Sequence, residues 1–549
     1  MNLIDFNKCD ADSVFETDIC IVGSGPVGIS IAKEFVGTNV NVLIVESGGL
    51  ESEDDVQKLY EIESIGDPRR INQINLRRRI YGGSSYIWTG RCAPFDDIDF
   101  QARDWIPRSG WPITKMDVAP YLSRAGKNLG LGPNCYDERL WQQFKVDQPE
   151  PCLDKDKLSP FFWQFSKSPK NTRASVDFGR DINLSAAKNI NVLLHANVTH
   201  INVDNKKNKF SSVDISTLAG KKAIVKSKTL VLACGGIENA RLLLASNKQV
   251  SEGLGNHSDS VGRFLMDHTL YITGHFDPNN SDLVRKRFGH YWLDKNGQRH
   301  VYLHGMSLSK KIQQDEKLLG CHAFVEEFDV LEDNPVDAFK RLVGALKEKS
   351  IYEQFWKDIK NVCLNSPYVF KNLYRRIKLN RPEINKVKRV ELHCMMEQFP
   401  NSDSRIKLSN SKFDALGMPI SVIDWKINDL EKQTFTRMME LVCEEFLRLG
   451  LPVPSLSPVL TDPQWKHSAS EKSHPTGTTR MSNHPDNGVV DSNLQVHGIS
   501  NLFVAGSSVF PTSGAANPTL VIVALAIRLA DHLKATEFTS SVADNEESS

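Results

Sequence analysis

The sequence predicts an α/β fold in which one lobe, built on a parallel sheet, receives a second lobe as an insertion. Two observations lead to this prediction. Near the N-terminus, a strand at residues 18–22 is followed by glycines, a helix pattern and a second strand at 41–45. Such a strand–helix–strand unit within about 30 residues is typical of parallel sheets. Similar patterns recur at about 190–265 and 470–535, so the parts of the first lobe are far apart in the chain.

The remaining strands of the first lobe are predicted one by one from short apolar runs. These runs lie at 191–194, 197–203, 228–233 and 502–505, and a helix pattern follows the last one to about residue 533. We therefore assign residues 15–105, 190–265 and 470–535 to the first lobe. The inserted lobe takes 106–189 and 266–469, and a chain of 549 residues is long enough for both. The polar residues 536–549 predict a disordered tail.

The composition argues against several classes of protein. Lysine and arginine number 67, as do aspartate and glutamate, and a net charge of zero is unlike that of nucleic-acid-binding proteins. We see no signal peptide and no apolar run near the ~20 residues of a membrane span. The ten cysteines show no paired spacing, so neither a disulfide framework nor a metal site is predicted. We expect a reduced, cytoplasmic setting.

One segment departs from this neutral average. Residues 340–389 contain 14 lysines and arginines but only 4 acidic residues, and aromatic residues are interleaved with them. A solvated helical insertion with inward-facing aromatic residues is the interpretation we favour. Two others stay open: a surface for an acidic partner or for the inner face of an anionic membrane, and a lid over an acidic substrate.

A glycine-rich loop predicts the chemistry of the first lobe. Gly23, Gly25 and Gly28 form a G-x-G-x-x-G pattern that follows a strand and opens a helix. The first glycine allows a tight turn, the second lets a pyrophosphate approach, and the third lets helix and strand pack closely. Glu46 ends the next strand, where a carboxylate accepts a hydrogen bond from a ribose hydroxyl. We find no second pattern of this kind, which favours one tightly held cofactor in a Rossmann-like lobe, and the Ser-Gly-Gly sequence at 47–49 favours FAD.

Further segments resemble the glucose-methanol-choline (GMC) oxidoreductases. The similarity includes VGSGPVG at 22–28 and ESGG at 46–49. It continues with YGGSSYIWTG at 81–90, ANV at 196–198, CGGIENARLLLAS at 234–246 and VGRFLMDH at 261–268. It is most extensive in the segment that begins with HPTGTTRM and ends with SGAANPTL. Residues 106–190 and 270–390 match the family poorly.

This resemblance implies a fold and a cofactor site. The fold would be a GMC or p-hydroxybenzoate-hydroxylase-like FAD lobe with an inserted α+β substrate lobe on an antiparallel sheet. The residues that the resemblance and the glycine loop assign to FAD are Gly23, Ser24, Gly25, Pro26, Gly28, Glu46, Ser47, Gly82, Gly83, Ser84, Ser85, Trp88, Val198, Ala233, Gly235, Ala505, Gly506, Asn517, Pro518 and Thr519. Some relatives attach the flavin to a histidine where this chain has Ile87, so we expect non-covalent FAD.

The resemblance also implies the catalytic residues. His474 takes the position of the family's base, and histidine has a pKa suited to accepting a proton near neutral pH. Asn517 takes the position of its partner. The alternatives are a surface histidine, and an Asn517 that only caps a helix with Pro518 in its first position. We expect no such role for His467, His484 or His497.

The implied reaction is the oxidation of a CH–OH group of an alcohol, sugar or polyol, with proton abstraction by His474 and hydride transfer to flavin N5. The ANPT sequence at 516–519 is similar to that of pyranose oxidase. The electron acceptor stays open between a quinone or carrier and oxygen, and we favour a dehydrogenase over an oxidase. A non-redox lyase similar to the hydroxynitrile lyases is a further alternative.

Overall fold

The computed structural model describes residues 1–69, 73–171, 174–295, 297–330, 333–348, 351–379 and 381–538. Its α-helices are α1 (Pro26–Lys33), α2 (Asp54–Lys58), α3 (Asp97–Phe100), α4 (Lys115–Asn128), α5 (Leu140–Phe144), α6 (Phe178–Asp181), α7 (Gly235–Ala245), α8 (Asp282–Arg287), α9 (Lys310–Asp315), α10 (Pro335–Glu348), α11 (Phe355–Leu364), α12 (Ser366–Ile377), α13 (Asp429–Arg448) and α14 (Thr519–Thr536). Its strands are β1 (Asn2–Asp5), β2 (Ser13–Val22), β3 (Val42–Val45), β4 (Ile62–Gly66), β5 (Arg91–Cys92), β6 (Leu158–Phe165), β7 (Ile190–Leu194), β8 (Asn197–Val203), β9 (Phe210–Ser216), β10 (Lys222–Leu232), β11 (Thr269–Phe276), β12 (His290–Lys295), β13 (Gln298–Leu308), β14 (Cys321–Val330), β15 (Val387–Met396), β16 (Arg405–Phe413), β17 (Pro419–Trp425), β18 (Ser455–Leu456), β19 (Ser470–Glu471) and β20 (Leu502–Val504).

The first sheet contains the predicted strand–helix–strand unit. Its order is β1-β7-β3-β2-β10-β9-β8, with β20 also beside β10, and all pairs except those of β9 are parallel. Strand β3 has the sequence VLIV and is buried throughout, as expected for a strand that is covered on both faces. Helix α1 connects β2 to β3, and α14 packs against α1 and α4.

The second sheet is antiparallel throughout. Its order is β18-β11-β15-β14-β13-β6-β5, with β12 beside β13 and β19 beside β11. The strands β14 and β15 pair from Cys321 with Met396 to Val330 with Val387, and the helices α10, α11 and α12 lie between them in the chain. The molecule is thus an α/β protein with a parallel and an antiparallel sheet, which confirms the predicted fold class.

Three strands depart from the predicted lobe boundaries. Strand β1 lies in the segment before residue 15 but pairs with β7 at the edge of the first sheet. Strand β4, which we assigned to the first lobe, instead forms a small third sheet with β17 and β16. Strand β5 joins the antiparallel sheet through β6. These contacts join residues far apart in sequence, and each strand is too short for its own pattern to indicate its partner.

The chain end differs from the prediction at its first residues. Helix α14 extends to Thr536, and the ring of Phe538 is buried with its centroid 6.4 Å from that of Phe35. The predicted tail therefore starts too early, because an aromatic anchor was overlooked. Residues 539–549 of that tail lie outside the described residues. In the part of the chain that the structure describes, no helix has the length and apolar character needed to cross a membrane.

Candidate active site

A cavity of about 710 Å³ lies where the loops of the first sheet meet the strands of the second. The first sheet contributes the glycine loop after β2, the end of β3 and the start of α7. The second contributes Leu270, Phe324, Glu326, His393 and Met395 from β11, β14 and β15. A cavity of this size falls within the range of small-molecule and cofactor sites.

The glycine loop is shaped to leave one side of this cavity open. Gly23 has a φ of 100°, in the region that favours glycine. A Cβ on Gly28 would lie 2.0 Å from the carbonyl oxygen of Gly23, whereas a Cβ on Gly25 would meet no atom within 4 Å. Gly28 therefore lets the helix pack closely, and Gly25 leaves room for a ligand at the N-terminus of α1, where N–H groups and the helix dipole favour an anion.

Glu46 is fixed beside this loop by several donors. Its Oε2 accepts hydrogen bonds from the backbone N (3.0 Å) and Oγ (2.6 Å) of Ser24, and its Oε1 accepts one from the N of Gly48 (2.9 Å). Burial raises its pKa, against the effect of these donors. Glu46 also lines the cavity. Loop, helix N-terminus and carboxylate together fit a dinucleotide cofactor.

His474 lines the opposite part of the cavity and is held through its backbone. Its N donates to Oδ1 of Asp267 at 2.9 Å, and the same oxygen accepts from the N of His268 at 2.8 Å. The other oxygen, Oδ2, accepts from Nη2 of Arg69 at 3.0 Å. Burial lowers the pKa of His474 well below its usual value, and the charge of Lys472 acts in the same direction. The imidazole is therefore neutral at physiological pH.

The proton of His474 is positioned by His268. The Nε2 of His268 lies 2.9 Å from the carbonyl oxygen of Gly514, so this nitrogen carries a proton and donates it. Burial lowers the pKa of His268, so its other nitrogen, Nδ1, is bare and can only accept. That Nδ1 lies 3.2 Å from Nδ1 of His474, which must then be the donor. The Nε2 of His474 is left without a proton and can accept one.

Asn517 lines the cavity directly before α14. Its side chain is buried, and its Oδ1 has no hydrogen-bond partner among the described residues. The helix starts at Thr519 with Pro518 as its cap residue, and no side chain caps it. The side chain of Asn517 therefore makes no capping hydrogen bond to this helix. The unpaired amide oxygen and the positive end of α14 both belong to the cavity wall.

Comparison with known proteins agrees with this geometry. Sequence models of the GMC oxidoreductases match residues 163–270 and 400–526. The chain is 22% identical to a 2-methyl-1,2-propanediol dehydrogenase of Mycolicibacterium austroafricanum, over 95% of this chain and 96% of that protein. It is 24% identical to a 6'''-hydroxyparomomycin C oxidase of Streptomyces lividus, over 96% and 93%. The chain belongs to the GMC oxidoreductases.

Two further matches bear on the details of this GMC oxidoreductase. A pyranose 2-oxidase of Lyophyllum shimeji is 28% identical over 149 residues, 27% of this chain and 23% of that protein, which agrees with the predicted similarity. A formate oxidase structure of Aspergillus oryzae superimposes with a TM-score of 0.57 at 18% identity, over 97% of this chain and 100% of that one. At this identity, the second match supports the fold alone.

Most of the residues predicted to hold FAD lie in the wall of the cavity. They are Gly23, Ser24, Gly25, Pro26, Glu46, Ser47, Gly83, Ser84, Ser85, Trp88, Val198, Ala233, Gly235, Ala505, Gly506, Asn517, Pro518 and Thr519. The other two, Gly28 and Gly82, lie behind it. A Cβ on Gly82 would lie 2.5 Å from the N of Gly179, so this glycine lets its loop approach α6 closely.

An ion cluster near the glycine loop was not predicted. Glu238 lines the cavity and accepts from Nη1 of Arg77 at 3.1 Å, Nη2 of Arg79 at 2.9 Å and Nη1 of Arg241 at 3.2 Å. The three cations lower its pKa to about 2, although burial acts in the opposite direction. The signal for this cluster was the ENAR sequence at 238–241, where the family commonly has a Ser-Pro pair.

The wall formed by the second sheet is polar at one place. Nη2 of Arg91 donates to Oε1 of Glu326 at 2.6 Å, and Nδ1 of His393 lies 4.0 Å from Oε2 of that carboxylate. Nε2 of His393 is 2.9 Å from Oε2 of Glu391. None of these residues was predicted: Glu326 lies in a segment that matches the family poorly, and Arg91, Glu391 and His393 lie outside the segments in which the resemblance was found. His268 was also missed, although it ends the VGRFLMDH sequence.

Proposed function

We propose that this GMC oxidoreductase oxidises the CH–OH group of an alcohol, sugar or polyol to a carbonyl, with non-covalent FAD as cofactor. The observation that carries the proposal is the neutral His474, with its proton on Nδ1 and its Nε2 bare, in the same cavity as the dinucleotide loop. When bound, FAD supplies the acceptor for the hydride of the substrate C–H bond. The hydroxyl proton goes to Nε2 of His474, so that the O–H bond breaks as the C=O bond forms.

The residues around His474 support its role as the general base. After it accepts the proton, the cation still donates from Nδ1 to His268, so the hydrogen bond is kept in both states. Asp267 lies at the backbone of both histidines and places a carboxylate near the new charge. Lys472 has the opposite effect and helps to keep the resting imidazole neutral.

Asn517 supplies a second polar contact for the substrate oxygen. Its Oδ1 is buried without a described partner, a costly arrangement unless a ligand group satisfies it. The Nδ2 of this amide can donate to the substrate oxygen without competing for its proton, and Oδ1 can accept from a second hydroxyl group. The N-terminus of α14 adds a positive potential beside the cofactor, which would stabilise negative charge on a reduced flavin.

The polar side chains on the cavity wall formed by the second sheet support the proposal that the substrate carries several hydroxyl groups. Arg91, Glu326 and His393 offer both donors and acceptors at the cavity surface. A site built to bond several hydroxyl groups discriminates strongly against analogues that lack them, because its buried polar groups are then left unpaired.

We propose a dehydrogenase that passes electrons to a quinone or carrier, and one experiment tests both the reaction and the acceptor. The purified FAD-containing protein is mixed anaerobically with a panel of polyols and sugars, and the absorbance of oxidised flavin is followed. Bleaching by a substrate is expected, whereas a lyase would turn over its substrate with the flavin still oxidised. The reduced protein is then mixed with oxygen. Slow reoxidation is expected, and rapid reoxidation with stoichiometric peroxide would instead identify an oxidase.

The mode of FAD attachment has its own test. Ile87 lines the cavity and has no atom that can form a covalent link to the flavin. Acid precipitation of the protein should therefore release all of its FAD into the supernatant. Flavin that stays with the pellet would contradict non-covalent binding.

A further inference from the structure

The most exposed apolar side chains of the molecule are concentrated in one segment. Nine large apolar residues of the described chain are at least 60% exposed, and seven of them lie between residues 346 and 377. They are Leu346, Ile351, Trp356, Leu364, Phe370, Tyr374 and Ile377, whereas Met116 and Leu447 are isolated elsewhere. Single exposed apolar residues are normal on a protein surface, but a cluster of this kind marks an interaction site.

On α11 and α12 these residues follow the helical repeat. The exposed positions of α11 include Trp356, Lys357, Lys360 and Leu364, which share one side of the helix. The exposed positions of α12 include Phe370, Lys371, Tyr374 and Ile377, with the same spacing of three and four residues. The other side of α12 is buried through Val369, Asn372 and Arg375. Each helix therefore has an anchored side and an exposed side, here called its free side, on which apolar and cationic residues are interleaved. One of these cations, Lys371, forms a salt bridge of 3.1 Å with Asp282 of α8.

The anchored sides of these helices hold part of the positive charge of the segment in contacts within the protein. Arg341 of α10 forms two hydrogen bonds of 2.8 Å with the carboxylate of Asp358 on α11, and the hydroxyl of Tyr352 donates to that carboxylate at 2.5 Å. On α12, Oδ1 of Asn372 accepts from the N of Ile384 at 2.9 Å. Inward contacts of this kind fit the favoured interpretation of the sequence. None of these inward contacts is made by a residue on the free side of α11 or α12.

Several other basic residues of the segment do not pair with a carboxylate among the described residues. In the described part of residues 340–389, the exposed basic residues that form no salt bridge with a described residue are Lys357, Lys360, Arg376, Lys378, Lys386 and Lys388. Helices that lie in the plane of a membrane interface have this composition: lysine and arginine interleaved with exposed tryptophan, phenylalanine and leucine. We propose that the free sides of α11 and α12, with Leu346, dock this enzyme on the surface of an anionic lipid bilayer.

The chemistry of the surface favours a bilayer over a soluble acidic partner. A soluble polyanion needs only the cations and gains nothing from seven apolar side chains that project into solvent. A bilayer accepts both, since the apolar groups enter the acyl boundary while the lysines stay at the headgroups. The membrane would therefore bury the exposed apolar area and neutralise the unpaired charge in a single contact.

The test is co-sedimentation of the FAD-containing protein with two kinds of vesicle. One contains equal parts of phosphatidylcholine and phosphatidylglycerol, and the other contains phosphatidylcholine alone. Binding is expected to the first at low salt and not to the second, and it should weaken strongly at about 1 M salt, where the screening length is about 3 Å. Failure to bind the anionic vesicles at low salt, or equal binding to both kinds, would overturn the proposal.

Two variants separate the contributions of charge and apolar contact. In Lys357→Gln/Lys360→Gln/Lys378→Gln, affinity should fall by about two orders of magnitude, since each lysine near an anionic surface contributes about fivefold. In Trp356→Ser/Phe370→Ser/Ile377→Ser, it should fall by about tenfold or more for each side chain. If the apolar variant binds like the wild type, the surface recognises soluble polyanions instead, and the membrane proposal is wrong.

The matched control is Met116→Ser/Leu447→Ser, which removes equally exposed apolar residues outside the segment. It should bind vesicles like the wild type. All variants should keep their FAD and their rate of flavin reduction by a soluble substrate, because none of these residues lines the cavity. A loss of binding in the control would mean that the effect is general hydrophobicity and would contradict a localised surface.

Discussion

The two walls of the active-site cavity are built in different ways. The wall on the side of the parallel sheet consists of loops and helix starts, such as Gly23–Pro26 and the turn before α14, in which backbone N–H groups and small residues face the cavity. The wall on the side of the antiparallel sheet consists of alternate side chains along β14 and β15, such as Phe324, Glu326 and His393. The first wall recognises through the backbone, and the second through side chains.

This difference separates the tasks of the two walls. A wall made of backbone tolerates little change, because its shape depends on glycines such as Gly23 and Gly28, where a Cβ would come within 3 Å of a backbone oxygen. Side chains on a regular sheet can be exchanged without altering the strands that carry them. We therefore expect variants of the first wall to affect FAD and the reaction itself, and variants of the second to affect the choice of substrate.

The largest expected effect lies at His474. His474→Ala should lower the rate of flavin reduction by about 10²–10⁴-fold, since it removes the general base. FAD content, measured from the ratio of flavin to protein absorbance, should be unchanged. His467→Ala, at an exposed histidine of the same region, is the control and should react normally. An unchanged rate in His474→Ala would assign the base to another residue.

The glycine loop offers the next effect, on cofactor binding. Gly25→Val should fold and show a normal unfolding temperature, but it should retain FAD at least about tenfold more weakly, because the side chain projects into open cavity. Gly28→Val should instead lower the unfolding temperature, since its Cβ would collide with the carbonyl oxygen of Gly23. Equal FAD retention by Gly25→Val and the wild type would contradict the position of the cofactor.

His268 is expected to act through His474 as a positioning residue. His268→Leu removes the acceptor for the proton on Nδ1 of His474, so both tautomers become available and the rate of flavin reduction should fall about tenfold. His268→Gln keeps one donor and one acceptor and should recover part of the loss. Nitrogen NMR of labelled histidine should show mixed tautomers of His474 in the leucine variant alone. A single tautomer in that variant would refute the positioning role.

Glu326 tests the second wall. Glu326→Gln should raise KM for a polyhydroxylated substrate about fivefold, the effect of losing one hydrogen bond of about 1 kcal/mol, while kcat changes little. Glu16→Gln, at an exposed position of β2, is the control. A fall in kcat with unchanged KM would place Glu326 in the reaction and remove the contrast between the walls.

The smallest expected effect is one of pH. The lowered pKa of His474 means that its neutral form still predominates at pH 6.5, where an ordinary histidine is half protonated. The rate of flavin reduction should therefore lose less than half its value between pH 7.5 and about 6.5. It should fall only as the pH passes below 6.5 through the lowered pKa. A midpoint at or above about 6.5 would contradict the burial of this imidazole.

The sequence pointed to many residues of the first wall and to none of Phe324, Glu326 and His393 in the second, for a physical reason. The glycine loop, Glu46 and the AANPT sequence at 515–519 are local patterns, and the geometry they require is set by neighbours in the chain. Phe324 and His393 face each other because β14 pairs with β15, across an insertion of more than 50 residues. No local pattern records such a pairing. The antiparallel sheet itself was expected only from the resemblance to the family.

The basic segment at 340–389 was indicated by the sequence only in part. Its composition predicted helices with an unusual surface, but which cations pair inward depends on contacts such as that between Arg341 and Asp358. The sequence therefore left three interpretations open.

The placement of α14 and β20 has a consequence for how the protein is made. Strand β20 adds to the first sheet beside β10, and α14 packs on α1, almost 500 residues earlier in the chain. The cavity wall includes Asn517, Pro518 and Thr519, which a ribosome adds among the last residues of the described chain. A nascent chain cannot complete this wall until residues 517–519 have been synthesised, although the glycine loop at 23–28 is made far earlier. A chain that ends before α14 would lack the helix that closes the site.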